Sequence, residues 1–268
     1  GVEDIPGTAL HAGIDWDWET FPEYLDALEK RQYTMDIGTQ VPHGAVRVYV
    51  MGERGAKNEP ATPDDIVKQA AIVKEAIQAG ALGFSMSRTI VHRAVDGEVV
   101  PGTHGAEDEI FGIGRTLGEL GEGIVELAPA GIQGEDMSAP DKEMDWMRRL
   151  SAEIGRPVSF ALVQHDVAPE DWRRLLDLCD EAGEQDGADL RPQVSARPNT
   201  LLIGHQSFHP FSFRPTYMAM KDLSLEEKVA RLRTPEVRAQ ILSEESAYPI
   251  PQMKVVTSMI ENGIDKIF

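Results

Sequence analysis

The side chains of this sequence that are able to do chemistry fall into five short groups, each at the end of a stretch of strand type. Gln40 and His43 come first, in TQVPHG. Ser85, Ser87, Arg88 and His92 follow in GFSMSRTIVH, and Glu126 stands in GIVELAP. Gln164, His165 and Asp166 close PVSFALVQHD; Gln193, Ser195 and Arg197 close LRPQVSARP. Imidazoles and a carboxylate suit proton transfer near neutral pH. An arginine pairs a substrate carboxylate through two parallel N–H bonds. Glutamine orients a ligand but is neither a base nor a good metal ligand.

Each group also has a plainer reading. His43 could bond a loop carbonyl, and Arg88 and His92 could cap the following turn. His165 and Asp166 could belong to the cap of the helix that starts near Pro169, and Glu126 could be a solvated loop acid. His205 and His209, four apart in GHQSFHPFSF, lack the acid and the helical context of a zinc pair, so packing or loop hydrogen bonding is their default.

The elements that must position these groups alternate along the chain. TFPEYLDALEKR starts a helix, with Thr20 as N-cap and Glu23 at capping-box spacing. TPDDIVKQAAIVKEAIQAGA is a second, capped by Thr62, led by Pro63 and stopped by Gly80. Helices are also expected over EDEIFGIGRTLGELG, PDKEMDWMRRLSAEIG and APEDWRRLLDLCDEAGE. Five strands are expected, at about 35–41, 82–87, 123–128, 157–164 and 190–196. Residues 1–19 read as loop. Beyond residue 196 the rhythm breaks: 197–268 is an irregular excursion followed by helices, appended to a single barrel portion that spans 1–268. Strand–helix alternation at this spacing means parallel pairing with right-handed crossovers. Either an open doubly wound sheet or a (β/α)8 barrel fits. The glycines of GIGRTLGELG lie inside a helical pattern and make no dinucleotide fingerprint. In either fold the chemistry gathers at the carboxyl ends of the strands, where the five groups lie.

Composition narrows the classes further. With 45 acidic against 26 basic residues, the formal charge of −19 opposes binding to nucleic acid or to an anionic membrane surface. No apolar run approaches the roughly 20 residues that span a bilayer. The one cysteine, Cys179, lies in a helical pattern and reads as a small buried apolar residue; a cytoplasmic setting fits.

Longer segments carry a resemblance. GVEDIPGTAL, WDWETFPEYLDALE, QVPHGAVRVYVMGERGA, EPATPDDI, EAIQAGALGFSMSRTIVHR and MRRLSAEIGRPVSFALVQ resemble the N-acyl-D-amino-acid deacylase branch of the amidohydrolase superfamily, over nearly the whole chain. The resemblance implies a metal-dependent (β/α)8 barrel that hydrolyses an amide with a zinc-bound hydroxide. It also implies that this chain is the central portion of such a barrel. The first strand with its His-Xaa-His pair, a second ending in a Gly-Asn-Cys-like turn, and the last strand with its aspartate are expected elsewhere, with the principal zinc ligands.

Many relatives carry metal-binding histidines on strands corresponding to GRPVSFALVQHD and DLRPQVSARP. Here the first offers Gln164 with His165 one residue on, and the second offers Gln193 and Arg197. His165 is therefore the candidate metal ligand, and His165 and Glu126 the candidate proton-transfer residues. His43, Ser85, Arg88, His92, Gln164, Gln193 and Arg197 are candidates for substrate binding. The expected partners are a small-molecule amide and either a complementary polypeptide or missing termini supplying the other strands, with an oligomer expected. Two other readings stay open: a non-catalytic binding or assembly subunit on the same scaffold, and a cofactor-independent enzyme using His43, Arg88, His92 and Glu126 for proton transfer.

Overall fold

A computed structural model of the chain describes residues 7–94, 97–165, 168–197, 204–205, 209–248 and 254. Asp166 and most of the carboxyl-terminal segment after Tyr248 lie outside the described residues. The chain divides into two compact units. The larger holds residues 1–132, 136–164 and 168–194; the smaller holds 133–135, 165–167 and 195 onward.

The larger unit is built on five strands, β1 (Val41–Pro42), β2 (Gly83–Ser87), β3 (Ile124–Ala128), β4 (Val158–Ala161) and β5 (Leu190–Gln193). They pair in chain order and every pair is parallel. Around them run α1 (Gly7–Gly13), α2 (Phe21–Glu29), α3 (His43–Met51), α4 (Glu53–Ala56), α5 (Pro63–Gln78), α6 (Glu107–Leu120), α7 (Ala139–Ile154) and α8 (Asp171–Asp186). The smaller unit carries α9 (Pro215–Met218), α10 (Leu225–Leu232) and α11 (Pro235–Ser243), packed on Tyr217, Met220 and Ile241.

The helices begin where their caps dictate. Thr62 accepts the amide of Asp65 at 3.2 Å, and the Asp65 carboxylate accepts the Thr62 amide at 2.9 Å. Asp65 also pairs with Arg54 at 2.8 Å. Arg54 and the Thr62 backbone amide together hold the Asp65 carboxyl well below its ordinary value, at about 2. Replacing Thr62 by Ala is expected to lower stability by about 1 kcal/mol; urea unfolding of the variant beside the parent checks this. Thr20 and Glu23 form the same reciprocal pair ahead of α2.

One face of the sheet is apolar and buried. Phe84, Val125, Val158 and Phe160 point at the helices, where Val73, Ile77, Ile113, Leu117, Trp146 and Leu150 meet them with almost no exposure. Burying each such side chain contributes about 1.5–3 kcal/mol. Side chains alternate between the faces of a strand, so the intervening residues point the other way. The register sets Pro42, Ser85, Glu126, Ser159 and Arg191 in one row across that second face.

Five elements differ from the sequence expectation. The first strand pairs only over Val41–Pro42 instead of 35–41; among the described residues its one neighbour is β2, and α3 begins directly after it at His43. β4 and β5 stop at Ala161 and Gln193, short of 164 and 196. Helix α1 occupies part of a segment expected to be loop. Helix α3 has no counterpart in the sequence expectation. Its β-branched VRVYV run is a poor helix former, and tertiary burial of Val46, Arg47 and Met51 overrides that propensity.

Candidate functional site

The second face of the sheet carries Ser85 and Ser87 from β2, Glu126 from β3, Ser159 from β4, and Arg191 and Gln193 from β5. Parallel sheets are usually apolar on both faces. A row of serine, glutamate, serine and arginine therefore marks this face for something other than packing. Glu126 is half-buried and its carboxylate accepts a hydrogen bond from Gln40 Nε2. The amide of Gln40 is oriented by that bond, because only its nitrogen end can donate to a carboxylate. Its Oε1 atom is left buried with no hydrogen-bond partner.

At the carboxyl end of β2, Ser87 Oγ lies 2.7 Å from His92 Nδ1. Ser87 and Arg88 are adjacent and point to opposite sides of the strand. Arg88 consequently turns toward the helices, where its Nε lies 3.0 Å from both carboxylate oxygens of Glu143. Its Nη1 donates to the Gly105 carbonyl at 2.9 Å, and the guanidinium sits 5.4 Å from the Trp146 ring centroid. The expectation that Arg88 waits for a substrate carboxylate is corrected by this arrangement: a protein carboxylate already holds it.

His43 is corrected in the same way. It is the first residue of α3 and only 1% exposed, so it does not line the open face. Its Nε2 lies 3.0 Å from Glu109 Oε1, which also accepts Gln69 Nε2 at 3.0 Å, while Arg47 donates to Glu109 Oε2 and to the Glu59 carbonyl. Burial alone would push the Glu109 carboxyl up. The hydrogen bonds and charges of His43 and Arg47 outweigh it and hold Glu109 at about 2. With Glu109 ionised, His43 Nε2 carries a proton. His43 Nδ1 is buried without a hydrogen-bond partner.

The remaining candidates divide between the two units. Gln164 is exposed and donates to the Pro169 carbonyl at 2.9 Å. Gln193 stands beside Ala161, exposed on the open face. His165, buried, and Ser195 and Arg197, exposed, belong to the smaller unit. In that unit the Phe211 amide donates to His209 Nδ1 at 3.1 Å, and the His209 ring packs edge-on against Tyr217 at 4.4 Å. Nε2 therefore bears the ring proton and offers no lone pair to a metal. Burial, with His205 and Lys228 nearby, pushes the His209 imidazole down to about 4. Burial likewise raises the Cys179 thiol to about 11, so it is an inert packing group.

No three His, Cys, Asp or Glu side chains converge among the described residues. The donors described thus do not fit a metal centre by themselves, and His165 belongs to no such group of three. A concavity of about 620 Å³ lies beside the edge strand β1 and is walled by Trp18, Phe21, Tyr24, Val46, Tyr49 and Ile72. No helix among the described residues is long and apolar enough to cross a membrane.

Sequence reasoning missed Gln40 as a partner of Glu126, and the Glu109 cluster altogether. The VPHG and EDEI segments lie more than 60 residues apart, and no local pattern joins them.

Residues 6–249 match the Amidohydrolase family. No curated protein matches the chain. Among solved structures, one of D-aminoacylase concerned with the functional role of its binuclear metal centre is 21% identical, with a TM-score of 0.53, and covers 66% of this chain and 34% of its own. A D-aminoacylase variant in complex with copper chloride is 20% identical, with a TM-score of 0.55, covering 72% of this chain and 38% of its own. A structure defining D-aminoacylase as a novel subset of amidohydrolases gives the same values. At these identities the likeness is one of fold: the five parallel βα units form a part of a (β/α)8 barrel. The chain spans little more than a third of the length of these structures.

Proposed function

Because this chain belongs to the amidohydrolase family, we propose that the intact protein is a metal-dependent hydrolase that cleaves the amide bond of an N-acyl amino acid or a related amide. One observation carries the reading. The polar row Ser85, Glu126, Ser159 and Arg191 lies on the sheet face turned away from the helices, which is the inner face of a barrel. Support for the substrate class comes from the D-aminoacylase structures, whose fold this chain shares.

The chain's own residues would bind and orient. Ser85 and Ser87 offer hydroxyls to the amide, Gln193 orients it, and Glu126, held by Gln40, gives or takes a proton at the reacting carbonyl or amine. His92 bonds the substrate together with Ser87. Gln164 and Arg197 remain proposals for substrate binding, and His165 for proton transfer and metal ligation. A bound metal, zinc by this proposal, would polarise the carbonyl and activate water. Its principal ligands, and the strands that close the barrel, come in this reading from polypeptide outside residues 1–268. The concavity beside β1 is the place for a neighbouring strand.

The test is hydrolysis of a panel of N-acyl D- and L-amino acids by the protein with its complete barrel, before and after chelation. Turnover is expected, lost with chelator and restored by zinc. Absence of turnover across the panel overturns the proposal. That no three such donors converge among the described residues supports a second reading, a binding or assembly subunit on an amidohydrolase scaffold. Metal analysis of the same preparation separates the two: stoichiometric zinc goes with hydrolysis, and a metal-free barrel with binding alone.

A further inference from the structure

Between β2 and α6, residues 92–94 and 97–100 pair as the two arms of a small hairpin that the sheet does not extend to. Arg93 and Val99 form an antiparallel bridge, Ala94 N–H donates to the Glu98 carbonyl at 2.8 Å, and Val100 N–H to the His92 carbonyl at 3.2 Å. An isolated two-stranded hairpin is marginal in water. Its place must therefore come from what holds its base.

Asn58, just past α4, does so. Its Nδ2 lies 3.4 Å from the Val99 carbonyl and 3.3 Å from the Val100 carbonyl, and its Oδ1 accepts the Gly102 amide at 2.8 Å. The backbone of Asn58 sits at φ +57°, a left-handed conformation that few residues besides glycine and asparagine adopt readily. Below the same turn lies the His43 ring. A Cβ on Gly102, itself at φ +93°, would stand 2.7 Å from His43 Nδ1. On its other side the hairpin is tied to the sheet through Ser87 and His92.

We propose that Asn58 is a positioning residue, which clamps the hairpin arm at Val99 and Val100 and so fixes His92 against Ser87 at the open face of the sheet. The inference rests on the reading of that face as the substrate site. Asn58 touches no substrate; it acts through the hairpin.

Two variants test it. Asn58→Gly keeps the left-handed backbone and deletes all three bonds. Asn58→Asp keeps the acceptor for Gly102 and deletes the two donors. In hydrogen–deuterium exchange, Asn58→Gly is expected to exchange the Val100, Gly102 and Thr103 amides about tenfold faster while Val125 and Val158 stay unchanged. Asn58→Asp is expected to keep Gly102 protected and loosen Val100. The 15N signals of the His92 imidazole should shift in Asn58→Gly, and KM for the acyl amino acid should rise roughly fivefold with kcat little changed. Exchange that rises equally in hairpin and sheet, or hairpin amides and His92 signals that match the parent, overturns the clamp. If the parent hydrolyses no amide, the function proposed above fails, and exchange and His92 signals still decide on Asn58.

Discussion

Replacing Glu109 by Ala is expected to destabilise the protein by about 3–5 kcal/mol, the cost of breaking a buried ion pair from one side. Arg47 and His43 are each only 1% exposed, and both direct a donor at this carboxylate. Without it, a guanidinium remains in the space between α3, α5 and α6 with no countercharge. Glu109→Gln keeps an acceptor and shape, and is expected to cost less.

The same group gives a pH signature. The Glu109 carboxyl is lowered from 4.5 to about 2 in the folded protein. A carboxyl lowered on folding contributes stability that is complete above its unfolded value, near 4.5, and is lost as pH falls toward 2. At about 1.36 kcal/mol per pH unit, the contribution is roughly 3 kcal/mol. Urea midpoints measured from pH 6 down to pH 2.5 should fall more steeply in the parent than in Glu109→Gln, since Asp65 and the other acids titrate in both. Parallel curves would show that Glu109 is not held low.

The second large effect is on activity. Glu126→Gln is expected to lower kcat for amide hydrolysis by about 10²–10⁴-fold, the usual contribution of a general acid or base. Stability should stay within about 1 kcal/mol, because glutamine retains an oxygen for Gln40 Nε2 and Glu126 is only half-buried. Gln40→Leu is the companion. It removes the group that orients Glu126 and should lower kcat less than Glu126→Gln does. Steady-state kinetics of the complete barrel, beside urea unfolding of the same variants, measures both. If Glu126 is merely a solvated acid, neither variant changes kcat.

Much of this molecule is legible in one dimension. Thr20 with Glu23, and Thr62 with Asp65, mark helix starts because a cap is satisfied by residues three apart in sequence. Apolar stretches between such helices mark the strands, and their alternation fixes parallel pairing. Cys179 reads as a packing residue from its helical stripe, and it is one. The segments shared with N-acyl-D-amino-acid deacylases point to the family to which the chain belongs.

What only the folded chain decides is direction. Ser87 and Arg88 are neighbours, yet one meets His92 at the open face while the other is sealed against Glu143. That parity depends on where pairing with β3 begins, and a shift of one residue would exchange the two. His43 follows Pro42 directly, but the chain has by then turned from strand to helix, and its partner Glu109 arrives from 66 residues away. Local sequence sets which backbone conformations are cheap; which face a side chain takes is set by non-local pairing and by the burial that such pairing makes possible.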